Sequence, residues 1–269
     1  MPDMLSYETY FFDLDGTVFI GDALLPGVQK TLFHLRSLDK QLRFLSNTAI
    51  RTRAECRDRL EMLGLTADIN EIVTAGYVSA VYFRELNGPV RVLVSGERAL
   101  RFELESEGVV VTDDPLEATH VLVGMDREFT YDKLHRAMRA VRAGAALIAA
   151  NPDPCCPVAD DLLPDTWSMV KAIEAAGGAQ VQEIIGKPSA YYAAKVLEWS
   201  GAQSERCLMI GDRLDTDILF GASHGMRTAL VLSGVTSLDE LAAYHIQPDY
   251  VWHSLDELLS LVAGNNTPI

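Results

Sequence analysis

The chain has 269 residues, 48% hydrophobic and 23% charged, with a formal net charge of -15 at pH 7. That length can bury a sizeable core as one large domain or two moderate ones. The acidic balance argues against nucleic acid or an anionic membrane as the main partner, so an anionic substrate would need local cations at its site.

Tyr10-Phe11-Phe12 is a strand-forming apolar run that gives way to Asp13-Leu14-Asp15-Gly16-Thr17. Positions i and i+2 of a strand face the same side, so Asp13 and Asp15 start out pointing together, and Gly16 lets the chain turn after them. Two carboxylates that close are costly unless a cation lies between them or one is protonated. The pattern points to a metal site, an acid/base pair, or both. Pro26 to Leu38 then reads as a helix, with Val28, Leu32, Leu35 and Leu38 at helical spacing. Leu42 to Leu45 is a strand running into Ser46-Asn47-Thr48, and Thr52-x-x-Glu55 is a capping box opening a helix that reaches Leu63. A strand over Ile72 to Thr74 and a helix over Gly76 to Leu86 follow.

Asn87-Gly88-Pro89 breaks the pattern, which restarts with strands over Val90 to Val94, His120 to Met125 and Ala146 to Ala150. Helices over Ala99 to Glu107 and Thr130 to Ala143 separate them, and an irregular stretch from Asn151 to Pro157 precedes a helix over Thr166 to Ala176. From Glu183 the first unit is expected to resume, with a short strand and turn over Ile184 to Pro188 and a helix over Tyr191 to Trp199. Next come the buried strand Cys207 to Ile210, Gly211-Asp212 and Asp217, a helix to His224, the strand Thr228 to Leu232 and a strand-helix pair from Tyr250. The alternation predicts an α/β fold with a doubly wound parallel sheet. Residues 1–75 and 183–269 would form one unit and 76–182 a second α/β unit inserted into it.

The opening residues Met1 to Leu5 lack a basic region followed by an apolar stretch, and the longest apolar runs are too short to cross a bilayer. The four cysteines (Cys56, Cys155, Cys156, Cys207) show neither zinc spacing nor a disulfide framework, so a reduced cytoplasmic compartment is expected. The arginines at 51, 53, 57 and 59 make a basic cluster, read as a solvated face from which Arg51 or Arg53 could approach an anionic substrate.

Four candidate sites fall at what this reading makes the strand ends of one sheet: Asp13/Asp15, Ser46/Asn47, Lys187 and Asp212/Asp217. Taken singly, Ser46-Asn47 is a turn or cap, Lys187 an exposed lysine in an extended corner, and Asp217 a first-turn acid favoured by the helix dipole. Their joint appearance in this order resembles the haloacid dehalogenase superfamily of phosphohydrolases. Asp13-Leu14-Asp15-Gly16-Thr17 matches its first motif, Ser46-Asn47 the second, Lys187 the third, and Gly211-Asp212 with Asp217 the fourth.

The resemblance implies a Rossmann-like core and a Mg2+-dependent phosphatase acting on small phosphorylated metabolites. Asp13 would attack phosphorus to form an aspartyl-phosphate, and Asp15 would protonate the leaving oxygen and then activate water. Asp13, Asp212 and the main-chain carbonyl of Asp15 would hold Mg2+, an all-oxygen set suited to a hard cation. Ser46, Asn47 and Lys187 would bind the phosphoryl group, and Asp217 would orient Lys187 or the metal shell. Only about thirty residues separate Asp15 from Ser46, a span that a turn, a helix and a strand consume, so the cap falls between Ser46 and Lys187. That arrangement resembles subfamily IIA, with its NagD-like nucleotidases, p-nitrophenyl phosphatases, pyridoxal phosphate phosphatases and the sugar phosphatase AraL, some of which pair through the cap. Asn151-Pro152-Asp153 matches a cap segment of that branch, and Asn151 and Asp153 are expected to face substrate. A phosphomutase on this fold, or a non-catalytic phospholigand sensor, are the alternatives. Cap placement counts against the first, and the presence of Asp13, Asp15, Lys187 and Asp212 against the second.

Overall fold

The computed structural model describes residues 4–158 and 161–264. Met1 to Asp3 of the opening segment therefore lie outside the described residues, as do Ala159 and Asp160. The chain forms two compact units, one of Met1–Ser46, Arg57–Val73 and Ala193–Ile269, the other of Asn47–Cys56 and Thr74–Tyr192.

In chain order, β1 (Thr9–Asp13) is followed by the hairpin β2 (Phe19–Ile20) and β3 (Ala23–Leu24), then α1 (Val28–Ser37), β4 (Gln41–Ser46), α2 (Arg53–Met62) and β5 (Ile72–Thr74). Next come α3 (Ala75–Glu85), β6 (Val92–Ser95), α4 (Arg98–Ser106), β7 (His120–Val123), α5 (Tyr131–Arg142) and β8 (Ala146–Ala149). The hairpin β9 (Cys155–Val158) and β10 (Asp161–Pro164) leads to α6 (Thr166–Gly177), β11 (Glu183–Ile184) and α7 (Ala190–Ser200). The chain continues through β12 (Cys207–Gly211), α8 (Leu219–Ser223), β13 (Arg227–Val231), α9 (Leu238–Ala243), β14 (Tyr250–Trp252) and α10 (Leu255–Gly264).

The first unit is built on a six-stranded sheet of order β14-β13-β12-β1-β4-β5. The pairings of β1 with β12 and β4, of β12 with β13 and of β13 with β14 are all parallel. All five residues of β1 and all five of β12 are buried, as central strands covered on both faces require, and their unbroken apolar runs fit that position. Strand order reverses between β1 and β12. In open α/β sheets the crevice outside the carboxyl ends of the strands at such a switch point is where ligands bind. Val28, Leu32 and Leu35 form the buried stripe of α1, and Thr31 on the same face donates to the carbonyl of Leu255 in α10 at 3.0 Å.

The second unit has a four-stranded parallel sheet of order β11-β8-β7-β6. Its core brings Val121, Val123, Leu147 and Ala149 from the strands against Ala137, Ala140 and Val141 of α5 and Met169, Val170 and Ile173 of α6. The capping box read at Thr52 forms: the Thr52 N–H donates to Glu55 Oε2 at 2.8 Å and the Glu55 N–H to Thr52 Oγ1 at 3.1 Å.

Two expectations are corrected. Lys187 does not follow a strand of the first sheet; β11 pairs with β8, with Ile184 level with Ala149, in the second sheet. A two-residue strand carries no side-chain pattern that could assign it to one sheet or the other. The irregular stretch Asn151 to Pro157 also becomes regular at Cys155, where β9 pairs antiparallel with β10. The prolines at 154, 157 and 164 mask the strand signal, yet a two-stranded ribbon consists only of edges, which tolerate proline.

Candidate active site

The carboxyl edge of the first sheet gathers acids because parallel strands in register end together. Asp13 is level with Leu45, one residue before Ser46, and Phe12 is level with Ile210, so that Asp13 and Gly211 lie at the same height. Beyond Gly211 the chain makes one π-helical turn over Leu214–Ile218 before α8, and this wider turn carries Asp217. Asp13, Asp212 and Asp217 thereby bring one carboxylate oxygen each to within 4.8 Å of one another. Asp212 is 1% exposed, Asp217 fully buried and Asp13 9% exposed.

Hydrogen bonds hold Asp212 and Asp217. The Val235 N–H donates to Asp212 Oδ2 at 2.9 Å, with Thr17 Oγ1 at 3.5 Å from Asp212 Oδ1. The Arg213 N–H donates to Asp217 Oδ2 at 3.1 Å. Two glycines make room. Gly16 has φ +93°, a conformation side chains avoid, and a Cβ there would overlap the Asp212 carboxylate. A Cβ on Gly234 would overlap the same carboxylate. Ser233 Oγ donates to the Gly16 carbonyl at 2.9 Å and ties the two loops together.

Asp15 points elsewhere. Its side chain is 55% exposed, with Oδ1 3.6 Å from Arg59 Nη1. The Arg59 guanidinium lies 4.1 Å from the centroid of the Phe19 ring and donates from Nη2 to the Gly21 carbonyl at 2.7 Å. Arg59 belongs to the basic cluster read as a solvated face, and no spacing rule connects it with Asp15, which is 44 positions away. Of the arginines singled out for substrate, Arg53 lies 3.9 Å over the Tyr77 ring. Ser46 is buried at the end of β4. Burial pushes the thiol of Cys207, in β12, up to about 12, which keeps it protonated and unreactive near neutral pH.

In the second unit, Asn47, Asn151, Asp153 and Lys187 are brought together. Asn47 Oδ1 accepts from the Lys187 N–H at 2.8 Å. Its Nδ2 donates to the Lys187 carbonyl at 3.0 Å and to Asp153 Oδ2 at 3.1 Å. Asn151 Nδ2 donates to the Asn47 carbonyl at 2.7 Å. Asn151 and Asp153 lie in the loop after β8 and Lys187 follows β11, and Lys187 is 1% exposed. Burying an ammonium is costly unless negative charge answers it.

Residues 10–110 match a family model described as haloacid dehalogenase-like hydrolase, and residues 184–258 match a second, described as HAD-hydrolase-like. The sugar-phosphatase AraL of Bacillus subtilis is 36% identical over 267 residues, 97% of each chain. The chain belongs to the haloacid dehalogenase-like hydrolases. A crystal structure of 4-nitrophenylphosphatase from Thermotoga maritima superposes on this family member with a TM-score of 0.93 at 31% identity, covering 97% of this chain and 100% of that one. The glycerol phosphate phosphatase of Mycobacterium tuberculosis, solved in complex with magnesium, gives a TM-score of 0.88 at 31% identity over 96% of this chain and 78% of its own.

The acid cluster of this hydrolase fits a divalent metal on its own chemistry. Three carboxylates that close repel one another unless a cation or protons intervene. Oxygen-only donors of this kind suit hard cations such as Mg2+.

Proposed function

We propose that this hydrolase is a Mg2+-dependent phosphatase of small phosphorylated metabolites, with sugar phosphates as the leading class and nucleotides or pyridoxal phosphate as further candidates. The observation that carries the reading is the cluster of Asp13, Asp212 and Asp217 at the switch point of the first sheet. In this reading Asp13 is the nucleophile. One of its carboxylate oxygens bonds to phosphorus as the ester P–O bond breaks, and Asp15 gives its proton to the departing oxygen. Asp15, now ionised, takes a proton from a water that attacks the phosphorus of the aspartyl-phosphate. Inorganic phosphate leaves and the Asp13 carboxylate is restored.

The Asp15 carboxyl is exposed and turned toward Arg59, outside the acid cluster, so this reading keeps its side chain out of the metal set and gives it the proton transfer. Asp13 and Asp212, with the main-chain carbonyl of Asp15, would hold Mg2+, and Asp217 would complete or orient that set. The ion supplies positive charge that shields an anionic nucleophile from an anionic phosphoryl group. Ser46 contributes a hydroxyl donor and Lys187 a positive charge to the transferring group. Residues 76–182 act as the cap that selects the substrate. The relatives named for sugar phosphates, 4-nitrophenyl phosphate and glycerol phosphate support a site that recognises the phosphoryl group and leaves the alcohol to the cap.

The test is phosphate release from sugar phosphates, glycerol phosphate, nucleotides, pyridoxal phosphate and p-nitrophenyl phosphate, with Mg2+, with EDTA, and in Asp13→Asn. Turnover that needs the metal and vanishes in the variant is expected. A folded, Mg2+-binding protein with no turnover on any of them would overturn the reading.

A further inference from the structure

The side chain of Asn47 has two N–H donors and one carbonyl acceptor on its amide, and all are used within the second unit. Oδ1 takes the Lys187 N–H at 2.8 Å, and Nδ2 serves the Lys187 carbonyl at 3.0 Å and Asp153 Oδ2 at 3.1 Å. Holding both the N–H and the C=O of one residue is what a neighbouring strand does in a sheet. The surroundings call for such a substitute. The chain leaving β11 is held by β8 and the loop after it as far as Gly186: the Ile185 N–H donates to the Ala149 carbonyl at 2.9 Å and the Gly186 N–H to the Ala150 carbonyl at 2.8 Å. At Lys187 the carboxamide of Asn47 takes over.

The brace is itself braced. Asn151 Nδ2 donates to the Asn47 carbonyl at 2.7 Å, and Asn151 Oδ1 accepts from the Asp153 N–H at 3.0 Å. Gly186 packs tightly against it. A Cβ there would stand 2.7 Å from Asn47 Oδ1 and 2.8 Å from the Ala150 carbonyl, closer than side-chain carbons come. The Asn47 carboxamide therefore has no N–H left over for a phosphate oxygen.

We propose that Asn47 is a positioning residue for Lys187, fixing its main chain so that the ammonium is presented to the phosphoryl group, and that Asn151 and Asp153 serve this brace and not the substrate. The proposal rests on the reading of Lys187 as the phosphate-binding cation. An unheld main chain would let the ammonium wander, weakening phosphate binding with little effect on the groups that make and break bonds.

The experiment uses the full chain and inorganic phosphate as product inhibitor, with KM and kcat measured in parallel. Asn47→Ala is expected to weaken phosphate inhibition about tenfold, the scale for loss of a buried hydrogen-bonded brace. It should raise KM by a similar factor and change kcat less. Lys187→Met should weaken inhibition further, and adding Asn47→Ala to it should change inhibition less than about twofold, since the brace then has nothing to aim. Losses that multiply in the double variant overturn the brace while leaving Lys187 as the phosphate ligand. Unchanged phosphate inhibition in Lys187→Met overturns the reading of Lys187, and the proposal with it. A second pair keeps the test independent of stability. Asn47→Asp sets a carboxylate against Asp153 and should lose binding as Asn47→Ala does. Combining it with Asp153→Asn restores the donor–acceptor pair with residue 153 but still sets a carboxylate oxygen against the Lys187 carbonyl, so most of the loss should remain; full recovery overturns the proposal.

Discussion

Replacing Asp212 by Asn tests whether the acid cluster is a site for a cation or a set of acids tolerated for packing. Three carboxylate oxygens lie within 4.8 Å of one another. At an effective dielectric near 20, two full charges at that separation repel by about 3.5 kcal/mol. Neutralising one of three charges removes two such pairs, about 7 kcal/mol if all three were fully ionised. Shared protons and water lower the repulsion that the metal-free protein actually bears, so a gain of about 1–3 kcal/mol is expected, the range commonly seen for such changes. The Asn side chain keeps the acceptor for the Val235 N–H, so the substitution removes charge without opening a cavity. Thermal unfolding in EDTA at pH 7.5 should show Asp212→Asn melting about 2–12 °C above the parent, using about 2–4 °C per kcal/mol for a chain of this size. Added Mg2+ should stabilise the parent, because it binds only the folded state, and should do little for the variant. A variant that melts lower than the parent in EDTA, yet gains as much from Mg2+, would refute the reasoning.

Three further outcomes follow from the structure. Gly234→Ala drives a Cβ into the Asp212 carboxylate, so the half-saturating Mg2+ concentration for turnover should rise at least about tenfold, with a stability loss of about 1–3 kcal/mol typical of overpacking. Burial lowers the pKa of His120 from its ordinary 6.5, and its ring stands edge-on to Phe83 while Nδ1 lies 2.8 Å from Thr119 Oγ1. Above pH 6.5 folded and unfolded chains both hold it neutral; below, the unfolded chain takes up the proton first, so stability falls with pH. The drop in melting temperature from pH 7.5 to 5.5 should therefore be smaller in His120→Asn. Ser237 caps α9 in a reciprocal pair with Glu240, and Ser237→Ala should cost about 1 kcal/mol in denaturant unfolding.

Much of the fold was legible because its signals are local. The apolar runs of β1 and β12 announce strands buried on both faces, the i, i+4, i+7 stripe of α1 announces a covered helix, and Thr52 with Glu55 announces a helix start. Ser237-x-x-Glu240 carries the same capping signal for α9. The acids that follow β1 and β12 were legible too, because Asp-x-Asp-Gly-Thr after one apolar run and Gly-Asp after another occur together, where a lone Asp-Gly would be only a turn.

By itself, the sequence determined most of the elements, the type of sheet they make and which candidate side chains follow the strands. Periodicity, capping and turn residues act over a few positions, and the motif acids follow their strands directly. The partners of those side chains were decided only by the tertiary structure. Asp217 joins Asp13 and Asp212 because a π-helical turn widens the path after β12. Asp15 faces Arg59, and Lys187 leaves the second sheet with its main chain held by Asn47. Each of these depends on atoms brought together from positions 44 to 204 residues apart in the chain. Register and strand order set such distances, and no local pattern encodes them.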